Sequence, residues 1–146
     1  MIRHFAGIAE IVEDVPQALA FYRDVLGFEV IQQMEDDYAM LSVPGVLHFG
    51  VWNRAHAAES TLGSRDRAGE IPLGFTIEFE VDDVNEATEK IETAGSKLFH
   101  GRREEPWGQI SGRFASPGGG AIIGVAETPW GRKLAQNVVA EKPPEA

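Results

Sequence analysis

The sequence contains no cysteine, which excludes disulfides, thiolate nucleophiles and cysteine–zinc centres. No apolar run approaches the roughly 20 residues needed to span a bilayer. The charged, apolar and small-residue succession of a secretory signal is also missing from the N-terminus. The expectation is a cytoplasmic protein with no membrane partner. Basic residues are scarce: 13 Lys and Arg stand against 23 Asp and Glu, for a net charge of −10. Nucleic acid is therefore not an expected partner, since binding it requires neutralisation of phosphates. Acidity of this degree favours solubility and permits a cationic ligand. Two catalytic signatures are absent, the Gly-x-Ser-x-Gly nucleophile elbow and the His-Glu-x-x-His zinc helix. Gly118-Gly119-Gly120 is not followed by Gly-Lys-Ser/Thr, so it reads as a turn between strands rather than a phosphate loop.

What the chain does have is a soluble, core-forming composition, with 43% hydrophobic and 25% charged residues over 146 positions. That length suits one domain, or two small modules sharing a core. Phe5 to Val12 is mostly apolar and predicts a strand. Asp14 then opens a helix: Asp14 and Gln17 have capping-box spacing, and Pro16 is tolerated in the first turn. Val15, Leu19, Tyr22 and Leu26 recur at helical spacing, and Gly27 ends the stripe. Three β-rich runs follow, Phe28–Gln33, Tyr38–Val43 and Val46–Trp52.

The same order returns about 69 residues later, the distance from Asp14 to Asp83. Phe75 to Val81 predicts a strand. Asp83 and Glu86 repeat the capping box, Val84, Ala87, Ile91 and Ala94 form the stripe, and Gly95 ends it. The runs Lys97–His100, Gln109–Ala115 and Ala121–Ala126 complete the copy. The predicted fold is α+β, with two tandem βαβββ modules at 1–53 and 74–127. Each is a curved mixed sheet with a helix on its convex face, and together they form one structural domain around a cleft. Residues 54–73 read as a linker with a short helical turn. Residues 128–146 read as a C-terminal extension, with Trp130, Leu134 and Val138-Val139 packing before a Pro-rich end frays.

Several segments carry a family resemblance. They are Val12-Glu13-Asp14-Val15 leading to Ala18, Phe21-Tyr22 and Leu26-Gly27; then Phe79-Glu80-Val81-Asp82-Asp83-Val84; then Glu105-Pro106-Trp107-Gly108-Gln109; and Phe114-Ala115-Ser116-Pro117-Gly118-Gly119. In this order the chain resembles the vicinal oxygen chelate superfamily, which includes glyoxalase I, bleomycin-resistance proteins and extradiol dioxygenases. Its style is that of the metal-free bleomycin-resistance-like members. The resemblance implies a homodimer. It also implies four strand positions at which metal-dependent members place ligands, and these fall on Gly7, His48, Thr76 and Ile123. Glycine and isoleucine cannot coordinate, and a threonine hydroxyl is a poor ligand, whereas a divalent cation needs three or four N or O donors. No cofactor is therefore expected, a divalent metal being the alternative.

The candidate ligand-binding residues are His48, Thr76, Glu78, Trp107 and Ile123. His48 alternates with Leu47 and Phe49, and the resemblance turns it into the cleft. Thr76 and Glu78 share a strand face, with Glu80 nearer the strand end. Trp107 sits in a Pro-Trp-Gly turn that borders the cavity in the resembling family. Its ring can stack on an aromatic or hold a cation, with Glu104 and Glu105 beside it. Trp52 is expected to pack under the linker. Glu10 falls on the helix-facing side of its strand, where an apolar residue is expected. The expected function is metal-independent binding or sequestration of a small cationic or aromatic molecule in an acidic cleft. The alternative is a lyase, isomerase or dioxygenase of the same superfamily, using a divalent metal or His48 and Glu78 as an acid–base pair.

Overall fold

The computed structural model describes residues 1–130. The first module runs β1 (Ile2–Val12), α1 (Val15–Leu19, continued by a π-helical segment Ala20–Val25), β2 (Glu29–Met34), β3 (Tyr38–Ser42) and β4 (Phe49–Asn53). The second runs β5 (Phe75–Val81), α3 (Val84–Thr93), β6 (Leu98–Glu104), β7 (Ile110–Ala115) and β8 (Ala121–Glu127). Both helix starts are those expected. The Asp14 carboxylate accepts the Gln17 backbone N–H, and the Asp83 carboxylate accepts that of Glu86, so each satisfies a donor that the first helical turn leaves open. Gly27 and Gly95 end the helical segments with φ of 82° and 91°, a conformation that only glycine adopts without strain.

The modules join edge to edge. β1 pairs antiparallel with β5, giving one mixed, curved and unclosed eight-stranded sheet in the order β2-β3-β4-β1-β5-β8-β7-β6. Within the chain, then, the two copies pair with each other through their first strands. Strand alternation sends one set of side chains to the helices. Val15, Leu19, Ala39, Leu41 and Val51 form the core under α1, and Val81, Val84, Ala87 and Val125 form that under α3. The other set faces the concave side.

The segment between the modules is more ordered than the sequence pattern predicts. It contains α2 (Arg54–Leu62) and a 3₁₀ helix (Arg65–Glu70). The Asn53 side chain accepts the N–H groups of Ala55 and His56 to start α2. The helix presents small buried residues, Ala57 and Ala58, to Trp52, Ile11 and Ile122. Small side chains let it approach the sheet closely without an apolar stripe that a periodicity scan would register. Arg54 locks its start, donating to the Ile71 carbonyl and to Glu13. No helix among the described residues is long and apolar enough to cross a membrane. The expected packing of Leu134 and Val138-Val139 falls outside the described residues.

Candidate functional site

The concave side of the sheet encloses a cavity of about 390 Å³. Of the residues expected at the site, His48, Thr76, Glu78 and Trp107 line it, and Ile123 does not. Ile122 and Gly124 stand at the wall in its place. Ile123 pairs with Ile77 and Phe114, and Phe114 packs against the α3 core. The last strand therefore enters one residue out of the expected register, and one residue exchanges the two faces of a strand.

Three glycines shape the wall. A Cβ on Gly7 would lie 2.9 Å from both the Cβ and the carbonyl oxygen of His48. One on Gly50 would lie 2.7 Å from the Tyr38 ring, and one on Gly124 would lie 3.2 Å from the Glu78 carboxylate. Each glycine thus leaves room for a polar neighbour to lie across the sheet. His48, just ahead of β4, fits because β1 carries no side chain at position 7.

The positions at which the family places metal ligands do not fit a divalent cation. Gly7 has no donor, its side-chain space is filled by His48, and the last strand offers Ile122 and Gly124. Among the described residues no group of three or more His, Cys, Asp or Glu side chains stands together as a metal site.

What the cavity offers is a mixed polar wall. Burial raises the pKa of Glu78, while the charge of Arg113 and the amide of Gln109 partly oppose this. Tyr38 is pushed up to about 12, by burial and by the charge of Glu78, so its phenol stays protonated and can donate. Burial lowers His48, with its bond to the Ala6 backbone and the charge of Glu80 in partial opposition. The indole N–H of Trp52 donates to Nδ1 of His56 at 2.6 Å. An indole nitrogen can only donate, so Nδ1 of His56 is the acceptor of this bond. Trp107 Nε1 donates to the Gln109 Oε1 at 2.9 Å, and Gln109 Nε2 donates to the Thr128 hydroxyl at 2.7 Å. The tryptophan at the cavity rim is thereby held at a fixed angle although it is 39% exposed.

Arg113 was not singled out by its motif, yet among the described residues it is the one Lys or Arg of the lining. Ser60 of α2 accepts from its Nη1 at 2.6 Å, and its guanidinium lies over the Trp52 ring, 5.2 Å from the centroid. The alternation Ser111, Arg113 against Ile110, Phe114 carried the signal: a charged residue on the sheet face opposite the apolar one. Trp52 packs under α2 as expected and also lines the cavity. Glu105 turns inward rather than adding negative charge at the rim, and is 4% exposed. Glu80, fully buried, accepts the Thr128 backbone N–H. Glu10 is explained by its partner: the Tyr22 hydroxyl of the α1 helical segment donates to it at 2.6 Å, so the carboxylate under the helix is hydrogen-bonded.

The raised Glu78 pKa sets a direction for stability. The unfolded chain gives up this proton at lower pH than the folded one, so stability falls as pH rises from the ordinary carboxylate range through the folded pKa. Glu78→Gln removes that loss. The variant is expected to melt above wild type at about pH 7.5 and to converge with it below about pH 4. Thermal melts across that range check this, and a variant that melts lower at neutral pH contradicts it.

A family model described as the glyoxalase/bleomycin resistance protein/dioxygenase superfamily matches residues 2–123. No curated protein matches the sequence. Solved structures share the fold. A superfamily member from Vibrio splendidus 12B01 is 20% identical, covering 84% of this chain and 97% of its own, with a TM-score of 0.60. A methylmalonyl-CoA epimerase from Streptomyces coelicolor, in complex with 2-nitronate-propionyl-CoA, is 17% identical over 88% of this chain and 99% of its own, with a TM-score of 0.59. With the paired βαβββ modules, the unclosed sheet and the match along most of its length, the chain belongs to the glyoxalase/bleomycin resistance protein/dioxygenase superfamily.

Proposed function

We propose that this protein binds a small, flat aromatic molecule in the concave cavity without a metal ion. The observation that carries this reading is that the wall at Gly7 and Gly124 is filled by His48 and Glu78, which lie where a side chain at either glycine would have to go. The aromatic half of the expectation is favoured over the cationic half by charge. The chain is strongly acidic, but the lining holds the guanidinium of Arg113 as well as Glu78, and the charge of Arg113 acts on Glu78. Trp52, Trp107 and Tyr38 supply ring faces, which stack with flat ligands at offset or edge-on geometry. Elemental analysis of the purified protein is expected to find well below one equivalent of any transition metal per chain. Addition of Mg²⁺, Mn²⁺, Co²⁺, Ni²⁺ or Zn²⁺ is expected to leave the melting temperature unchanged, while planar aromatics raise it by mass action. Stoichiometric, tightly held metal would overturn the proposal.

A second reading is favoured by one observation: burial drives His48 and Glu78 in opposite directions, toward a neutral base and a protonated acid. Such separation suits proton transfer. It is tested by incubating the protein with methylmalonyl-CoA in D₂O. Deuterium at the α-carbon with wild type, lost in Glu78→Gln, supports a proton-transfer enzyme; no incorporation with wild type removes this reading for that substrate.

A further inference from the structure

The guanidinium of Arg113 is held on one side and open on the other. Nη1 is used by Ser60 at 2.6 Å and faces Glu105 at 3.5 Å, and the Trp52 ring covers one face. Nε and Nη2 make no hydrogen bond among the described residues, and neither is a buried atom left without a partner. Because Arg113 is 5% exposed and lines the cavity, those two donors open into it. Side-by-side N–H groups on a fixed guanidinium match the two oxygens of a carboxylate. We propose, deepening the aromatic-binding reading above and resting on it, that the cavity takes a planar aromatic carboxylate whose carboxylate group sits on Nε and Nη2 of Arg113.

Glu78 decides the protonation that goes with it. Facing Glu78 are Tyr38 from β3, Gln109 and Arg113 on the β7 side, Glu105 beyond them, and Glu80 on its own strand. Gly7 on β1 and Gly124 on β8 pair with it and contribute no side chain. With Arg113 already near Glu105, a second anion beside Glu78 leaves more negative charge than the wall can balance. Glu78 therefore takes a proton from solvent as the carboxylate enters, and then donates a hydrogen bond instead of repelling the ligand. Binding weakens as pH rises, since the proton must be supplied.

The experiment is isothermal titration of the full chain with benzoate, 2-naphthoate and anthracene-2-carboxylate, each beside its primary amide, in phosphate and in Tris. At least one acid is expected to bind about tenfold tighter than its amide, with a buffer-dependent heat that reports proton uptake. Arg113→Lys keeps the charge beside Glu105 but loses the paired donors, and is expected to abolish the preference for acid over amide. Glu78→Gln is expected to retain the preference and lose the proton uptake. Amides binding as tightly as acids would overturn the carboxylate while leaving aromatic binding intact. Acid binding without proton uptake would overturn the role of Glu78. If no acid or amide binds, both this inference and the aromatic-binding reading fail.

Discussion

Replacing Glu105 with alanine is expected to destabilise the protein by about 3–5 kcal/mol, the usual cost of removing one member of a buried ion pair. The Glu105 carboxylate accepts from Ser111 at 2.7 Å and from Arg103 at 3.0 Å, and it lies 3.5 Å from Arg113 Nη1. The side chains of Glu105 and Arg113 are 2% and 6% exposed, so little solvent screens them. Arg103 is more open, at 35%, and its share of the loss is small. The large term is the guanidinium of Arg113, left inside without its nearest anion. The pKa of Glu105 points the same way: burial raises it, but Arg113, Ser111 and Arg103 together outweigh burial and hold it below its usual value. A depressed carboxylate stabilises the fold above the unfolded pKa, and that contribution is lost as pH falls through the folded pKa. Urea titrations of wild type and Glu105→Ala should therefore differ most near neutral pH and converge in acid, below about pH 4. A difference under about 1 kcal/mol at pH 7 would show that Arg113 finds another counterion.

This network also shows where the sequence is legible and where it is not. Local signals transferred well. The two Asp caps, the Gly27 and Gly95 stops and the strand Phe75–Val81 all lie where pattern places them, because capping and alternation act over a few residues. Thr76 and Glu78 reached the cavity side for the same reason. Arg113 is eight residues from Glu105 and 53 from Ser60; the β6–β7 hairpin brings Glu105 near it, but the meeting with Ser60 depends on α2 crossing the sheet. The Ala-rich composition of α2 concealed that crossing, since alanine packs closely without marking a stripe. Ile123 illustrates a different limit. Its neighbours Ile122 and Gly124 share its apolar character, so a slip of one residue leaves the pattern looking equally strand-like.

The glycine at position 7 gives the second large effect. Gly7→His, which would put an imidazole at a position where the resemblance places a metal ligand, is expected not to create a metal site and to destabilise by about 1–3 kcal/mol, in the manner of an overpacked core. The new Cβ would stand 2.9 Å from the Cβ of His48 and 2.9 Å from its carbonyl oxygen. That oxygen is fixed, because it accepts the Ile8 backbone N–H at 3.0 Å, so relief would break the junction between β1 and the start of β4. Adding His48→Gly removes the Cβ conflict but not the carbonyl one. The double variant is therefore expected to recover only part of the stability and still to bind no metal tightly. Chemical denaturation of the single and double variants, with and without Zn²⁺, measures both quantities. Full recovery in the double variant would place the conflict in the side chain alone. Zinc-dependent stabilisation of the single variant would mean that the wall can rebuild a donor set around position 7, and would sink the claim that its geometry is committed to a metal-free cavity.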